Sequence, residues 1–243
     1  MTTFQRARSA DQRAERRQAI LTTAATMLAE MPVAELSLNN LSRRVCLAKS
    51  NVLRYFDSRE AVLLELLELH WAEWLQELGS SVPQIREDTP TIDRVDALAA
   101  LIADAAAHRE IFCDLLGAQA TVLERNVSVP VAATFKRSAL QHLQDLGAIA
   151  ASALPELAEE DRFAFAAAAM LAIGALWAHS RPSAAMLQAY EDDPSLAALR
   201  LDFTDTLRQL LALLLSGLLA RADQQAAGSG RPTRESPAMT SGS

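Results

Sequence analysis

Cysteine is nearly absent, with two in 243 residues. Two thiols cannot build a disulfide framework, which points to a reducing compartment. Aromatic residues make up 5% of the chain, and it holds eight glycines and nine prolines. So little Gly and Pro excludes collagenous and low-complexity classes, and a hydrophobic share of 50% excludes disorder for most of the length. The sequence has no Gly-rich phosphate loop, no paired zinc-type cysteines, no repeat of a period typical of solenoids and no run of strand-like alternation. The N-terminal stretch MTTFQRARSADQRAERRQAI has charges but no apolar run followed by a small-residue cleavage site, so no secretory signal is expected. The uncharged run Phe163–Ala178 and the leucine-rich Leu210–Ala220 both fall short of the roughly 20 residues a membrane span needs. A cytoplasmic location and no membrane partner are therefore expected.

Charge is present but unevenly placed. The formal net charge is -7, yet residues 1–59 hold ten Lys and Arg against five acids, and the rest of the chain is strongly acidic. A basic head on an acidic body suggests that the head meets a polyanion and the body does not. Nucleic acid is the leading expectation.

Helical periodicity runs throughout. Ile20, Ala24, Met27, Leu28 and Met31 share one face of a helix over 11–30. Met31-Pro32 stops it, because the residue before proline is pushed out of the helical region. Ser37 is placed to cap a short helix over 38–45 with Leu38, Leu41 and Val45 as its stripe. A break at Cys46-Leu47-Ala48 precedes a second short helix, 49–55, with Val52 and Phe56 inward. Asp57 or Ser58 caps a long leucine-rich helix over roughly 58–78 that ends at Gly79-Ser80. After a loop at 80–90, helices are expected over roughly 91–108, 110–124, 128–153, 159–180 and 195–223. The fold class is all-α: a three-helix head followed by a helical body. The expected domains are a flexible basic arm at 1–10, a helix-turn-helix at 11–59, a ligand-binding and dimerisation body at 60–223, and a polar Gly/Pro/Ser-rich tail at 224–243 expected to be disordered.

The segment SLNNLSRRVCLAKSNVLRYFDSR, Ser37 to Arg59, carries the most chemistry. Two short helices joined by a three-residue turn fit a helix-turn-helix, and a DNA major groove about 12 Å wide admits one helix. With Val52 and Phe56 turned inward, Lys49, Ser50, Asn51, Leu53, Arg54 and Tyr55 face out. Arg and Lys pair with guanine, Asn with adenine, and an apolar group with the thymine methyl. Ser37, Asn39, Tyr55, Arg59 and the first amides of helix 38–45 suit phosphate contacts. A plain solvated helical hairpin is the alternative.

These residues resemble the DNA-binding head of the tetracycline-repressor (TetR) family of bacterial transcriptional regulators. The match lies at Arg17–Glu30, Ser37, Leu41, Lys49, Tyr55, Phe56, Arg59, Glu60 and Leu63, in the first quarter of the chain. Cys46 stands where the family usually has Gly, and Ala48 and Leu53 where Ser and Tyr are usual. If the turn needs positive φ, Cys46 costs roughly 1 kcal/mol there. The resemblance implies an all-α homodimer whose body binds a ligand and whose last two helices form the dimer interface.

Leucines at 210, 211, 213, 214, 215, 218 and 219 surround their helix rather than stripe it, and a helix apolar all round is buried on all sides. A second copy is the expected cover, with Leu207, Leu211, Leu214 and Leu218 at the interface; an internal core helix is the alternative. In the body, His70, Trp71, Trp74, Phe112, Leu116, Phe135, His142 and Trp177 are larger groups on apolar helices. Together they suit a pocket for a small, mostly apolar molecule, and each alone suits ordinary core packing. His70-x-x-Glu73 is a single i, i+3 pair, whereas a di-metal bundle wants such motifs on two helices, so no metal or other cofactor is expected. Cys46 and Cys113 read as small hydrophobes rather than sensors. The functional expectation is a homodimeric, ligand-responsive repressor of a palindromic operator, not an enzyme. A helical-bundle enzyme or carrier and a non-specific architectural DNA binder are the alternatives.

Overall fold

A computed structural model describes residues 3–229, with side chains for residues 11–222. Within this range all regular structure is helical, in ten α-helices: α1 Thr3–Leu28, α2 Leu38–Arg44, α3 Lys49–Val52, α4 Arg59–Ser81, α5 Thr91–Ala107, α6 Glu110–Ala118, α7 Val129–Ala153, α8 Glu159–Ser180, α9 Ala184–Asp192 and α10 Phe203–Ser229. Helices α1–α3 make the head. Helix α4 leaves it and enters the body, where it packs on α5, α6 and α7, while α8 packs on α6, α7 and α10, and α10 on α5.

Local chemistry explains the head. The Ser37 hydroxyl accepts the Asn40 amide at 3.1 Å and Asn40 Oδ1 accepts the Ser37 amide at 2.7 Å, a reciprocal cap that satisfies two otherwise orphaned donors. Helix α2 ends in a Schellman turn: the Leu47 amide donates to Ser42 O and the Cys46 amide to Arg43 O. Cys46 occupies the left-handed position of that turn, with φ 55°, where a glycine would sit without strain. Leu41, Val52 and Phe56 are buried between the helices with Ile20 and Ala24 of α1. Ser58, not Asp57, caps α4 by accepting the Ala61 amide at 3.1 Å.

The body core is built on Trp74, Phe112, Phe135 and Phe165, all fully buried. At its rim Arg94, buried in its turn, is closed by Glu156 and by Ala153 O at 2.8 Å.

Several sequence expectations need correction. Gly79 does not end α4: the helix runs on to Ser81, and a 3₁₀ turn holding Pro83 stops it. The expected helix 110–124 is α6 followed by a π-helical turn, Gln119–Leu123. The expected helix 195–223 starts only at α10, because Pro194–Leu199 is a 3₁₀ segment. An unforeseen helix, α9, precedes it, capped by Ser183 and with no buried residue; lacking a buried stripe, it leaves no apolar period to read. Helix α1 begins at Thr3, inside the segment read as a flexible arm, and α10 continues through Ser229, into the segment read as a tail. The first two residues of that arm and residues 230–243 of that tail lie outside the described residues. Helices α8 and α10 are long and apolar enough to cross a membrane, contrary to the run-length reading. Their inner faces, among them Phe165, Ala169, Ile173, Leu211 and Leu215, are seated in the bundle core.

Candidate nucleic-acid interface and body cavity

Burial of Val52 and Phe56 fixes how the second helix of the head presents itself. Lys49, Ser50, Asn51, Leu53 and Arg54 are exposed together and Tyr55 is half-buried. Helix α3 proper is shorter than expected, but hydrogen-bonded turns continue it, with the Leu53 amide on Lys49 O and the Phe56 amide on Val52 O. Helix α1 holds the C-terminal end of this segment. Arg17 Nη1 donates to Tyr55 O at 2.6 Å, its guanidinium lies 4.2 Å from the Phe56 ring centroid, and its other nitrogens grip the Glu65 carboxylate of α4. Arg13 Nη2 donates to Arg54 O at 3.3 Å.

Between α1 and α3 lies a groove of about 640 Å³ lined by Gln12, Arg13, Glu15, Arg16, Leu47, Asn51, Arg54 and Tyr55. Sequence reasoning does not single out Arg13 and Arg16, which count there only toward the head's positive charge. Both are exposed beside the residues expected to read the groove, where a phosphate oxygen would find guanidinium donors.

Other expected DNA residues are placed differently. Asn39 is exposed at the start of α2, but the Ser37 hydroxyl is engaged in its cap. Arg59 needs correction as a phosphate contact. Its Nη2 donates to Val33 O at 2.6 Å, it lies 3.5 Å from Glu60, and its side chain is mostly buried. Arg59 is the first residue of α4, and it ties that helix back to the turn after α1.

In the body, α4, α6, α7 and α8 enclose an open cavity of about 620 Å³. Of the sequence-expected ligand residues, Trp71 and Leu116 line it. Trp74, Phe112 and Phe135 do not: Trp74 and Phe112 are core, and Phe135, also buried, borders a separate smaller cleft with Leu64 and Val131. His142 lies against Trp71, with ring centroids 5.1 Å apart, and burial lowers its pKa from the usual histidine value. His70 belongs to a different cleft, with Glu73 and Arg109, and burial likewise lowers its pKa. Trp177 is a structural tie, its Nε1 donating to Asp114 at 2.6 Å and its ring edge-on to Phe203. Sequence reasoning missed Gln119, Lys136, Leu140, Leu143, Phe163 and Leu171 in the wall. Helices α6 and α8 approach closely in the cavity wall itself, where a Cβ on Gly117 would lie 3.1 Å from Gly174 O. Only glycine fits that crossing without moving backbone.

The expected interface leucines also need correction. Leu207, Leu211 and Leu218 are buried within this chain and Leu214 is half-buried, because α10 turns one stripe onto α5 and α8. Leu210 and Leu213 face outward, Leu213 at 72% exposure, as does Leu171 of α8 at 76%. Among the described residues no cluster of three or more His, Cys, Asp or Glu has the geometry to hold a metal. Burial pushes the Cys113 thiol up to about 12, and its Sγ hydrogen goes to Ala106 O, so it is an inert core group.

A family model described as "Tetracyclin repressor-like, C-terminal domain" matches residues 68–222. No curated protein matches the chain. Among solved structures, the fold is similar to a TetR transcriptional regulator from Rhodococcus sp. RHA1, with 16% identity, a TM-score of 0.50, and coverage of 83% of this chain and 96% of that one. A TetR family transcriptional regulator, PfmR, from Thermus thermophilus aligns at 19% identity and a TM-score of 0.47, over 82% of this chain and 98% of that one.

Proposed function

The chain belongs to the TetR family of transcriptional regulators, and on that premise we propose that it is a homodimeric repressor, released from a palindromic operator by a small, mostly apolar ligand. The observation that carries this reading is the surface of the head. Lys49, Ser50, Asn51, Leu53 and Arg54 stand exposed on a helix anchored by buried Val52 and Phe56, with Arg13 and Arg16 alongside. This combines base-reading groups with flanking phosphate donors. Two heads about 34–36 Å apart would read half-sites one DNA turn apart. The outward apolar face of α10, with Leu210 and Leu213, is the surface we assign to the second copy. Double-stranded DNA, a small-molecule effector and that second copy are the partners of a protein we place in the cytoplasm.

Release follows from the path of α4. It begins at Arg59, which is held to the head, and it presents Trp71 to the cavity wall, about 18 Å further along at 1.5 Å per residue. A guest beside Trp71 that fits better when α4 tilts favours the arrangement with misplaced heads. A difference of about 1–3 kcal/mol between the two arrangements corresponds to a roughly 5–150-fold change in operator affinity. The test is selection of bound sequences from a random duplex pool by the full-length protein. The expected result is an inverted repeat with half-sites about one turn apart; recovery of no common sequence would reject the reading.

A further inference from the structure

The body cavity is mostly apolar, and the polar side chains along its wall are those of Gln119, Lys136 and His179, with the Trp71 indole. Helices α7 and α8 are joined by a short connection and run antiparallel, with Gly147 tight against Arg162. Lys136 lies about three turns before Gly147 on α7. The close contact of Gly117 with Gly174 brings the π-helical turn after α6 to the same level. Gln119 and Lys136 indeed meet there: Gln119 Nε2 and Lys136 Nζ both donate to Glu124 Oε1, at 2.7 and 2.8 Å. Toward the opposite end the wall is made by Leu143 and Phe163. Glu124 is not part of the wall, and no carboxylate is. It stands behind Lys136 and engages one of three ammonium donors. The wall therefore offers an ammonium that is ion-paired to Glu124 yet keeps unused donors, in a groove whose other polar wall groups are Gln119 and His179.

We propose that the ligand of this cavity is an acidic amphiphile, with its apolar body along Leu143 and Phe163 and a carboxylate head accepting from Lys136. The proposal rests on the reading of the cavity as the effector site. A cationic head at this end would meet Lys136, whereas a carboxylate gains a charge-assisted hydrogen bond.

The experiment is equilibrium dialysis of the full-length protein with three probes of one chain length: decanoate, decanamide and decyltrimethylammonium, each below its micelle threshold. Decanoate is expected to bind about ten-fold more tightly than either of the others, as one charge-assisted contact allows. Lys136→Met should bring decanoate to the level of decanamide and leave decanamide unchanged, and Lys136→Arg should keep the preference. Equal or tighter binding of the cation, or a decanoate preference that survives Lys136→Met, overturns the proposal. If folded protein binds none of the three, the cavity is not the site and the proposal falls with it. Duplex DNA binding by the same samples without any decyl compound tests the regulator reading separately.

Discussion

The Ser128 hydroxyl donates to Asp57 Oδ2 at 2.8 Å, joining the start of α7 to the residue that follows the recognition segment. Ser128 closes the loop that leaves the π-helical turn of the cavity wall, and Asp57 lies two residues before α4. The cavity thus reaches the head by two routes, along α4 and through this hydrogen bond. Ser128→Ala is expected to leave operator affinity without ligand within about ten-fold, since an exposed hydrogen bond contributes only about 0.5–1.5 kcal/mol. The same change should reduce ligand-induced release. Competition of a cavity ligand against a preformed operator complex measures both quantities.

Arg17 binds three partners at once: Tyr55 O, the Phe56 ring and Glu65. Arg17→Met should lower affinity for every duplex alike, by about ten-fold, because it frees the end of the recognition segment without removing a base contact. Lys49→Ala or Arg54→Ala should instead cost about 1–3 kcal/mol on the operator and relax preference at one base position. Arg13→Ala and Arg16→Ala should each flatten the salt slope by about one. Titrations against operator and scrambled duplexes separate the three patterns.

Cys46 carries a left-handed φ of 55°. Cys46→Gly is expected to raise stability by about 0.5–1 kcal/mol, because relief of the Cβ clash exceeds the entropy that glycine adds to the unfolded chain. Denaturant midpoints of the two proteins check this, with duplex affinity unchanged.

Leu213 and Leu211 sit two residues apart on α10, yet one is 72% exposed and the other fully buried. Leu213→Arg should give folded monomers, while Leu211→Arg should unfold the chain by placing an unpaired charge in the core. Sedimentation together with circular dichroism distinguishes the outcomes.

His70 and His142 both have pKa values lowered in the fold, chiefly by burial. A histidine depressed in the fold takes up its proton more readily when the chain unfolds. Stability is therefore full above the ordinary value of 6.5 and falls as pH drops through it toward the folded value. The slope is at most about 1.4 kcal/mol per pH unit for each proton. Urea midpoints between about pH 7.5 and 5.5 should fall, and less steeply in His142→Gln.

Much of the head is legible in the sequence because its signals are local. The Ser37 cap, the break at Cys46 and the Val52 and Phe56 pair are fixed by short-range chemistry. Most body helices are legible from period alone, and Val129–Ala153 and Glu159–Ser180 fall within a residue of expectation. The cavity is not. An aromatic on an apolar helix reads the same whether it lines space, like Trp71, or fills it, like Trp74, and only the packing of four helices decides which. Lys136 and Gln119 are polar residues on amphipathic helices, and nothing in their spacing shows that Glu124 gathers them. Arg59 misleads for the same reason: its partner, Val33 O, lies 26 residues earlier. The all-round leucines of α10 conceal an inner and an outer stripe, which separate only when α5 is in place.

The central claim is that the head reads DNA sequence. The most direct test is the affinity of the full-length protein for its selected duplex and for a scrambled duplex of equal length, measured between about 50 and 200 mM salt. The account predicts at least about a thousand-fold preference for the selected duplex at the upper salt, with binding to both duplexes weakening as salt rises. Equal affinity for the two duplexes, or affinities that do not change with salt, would contradict it.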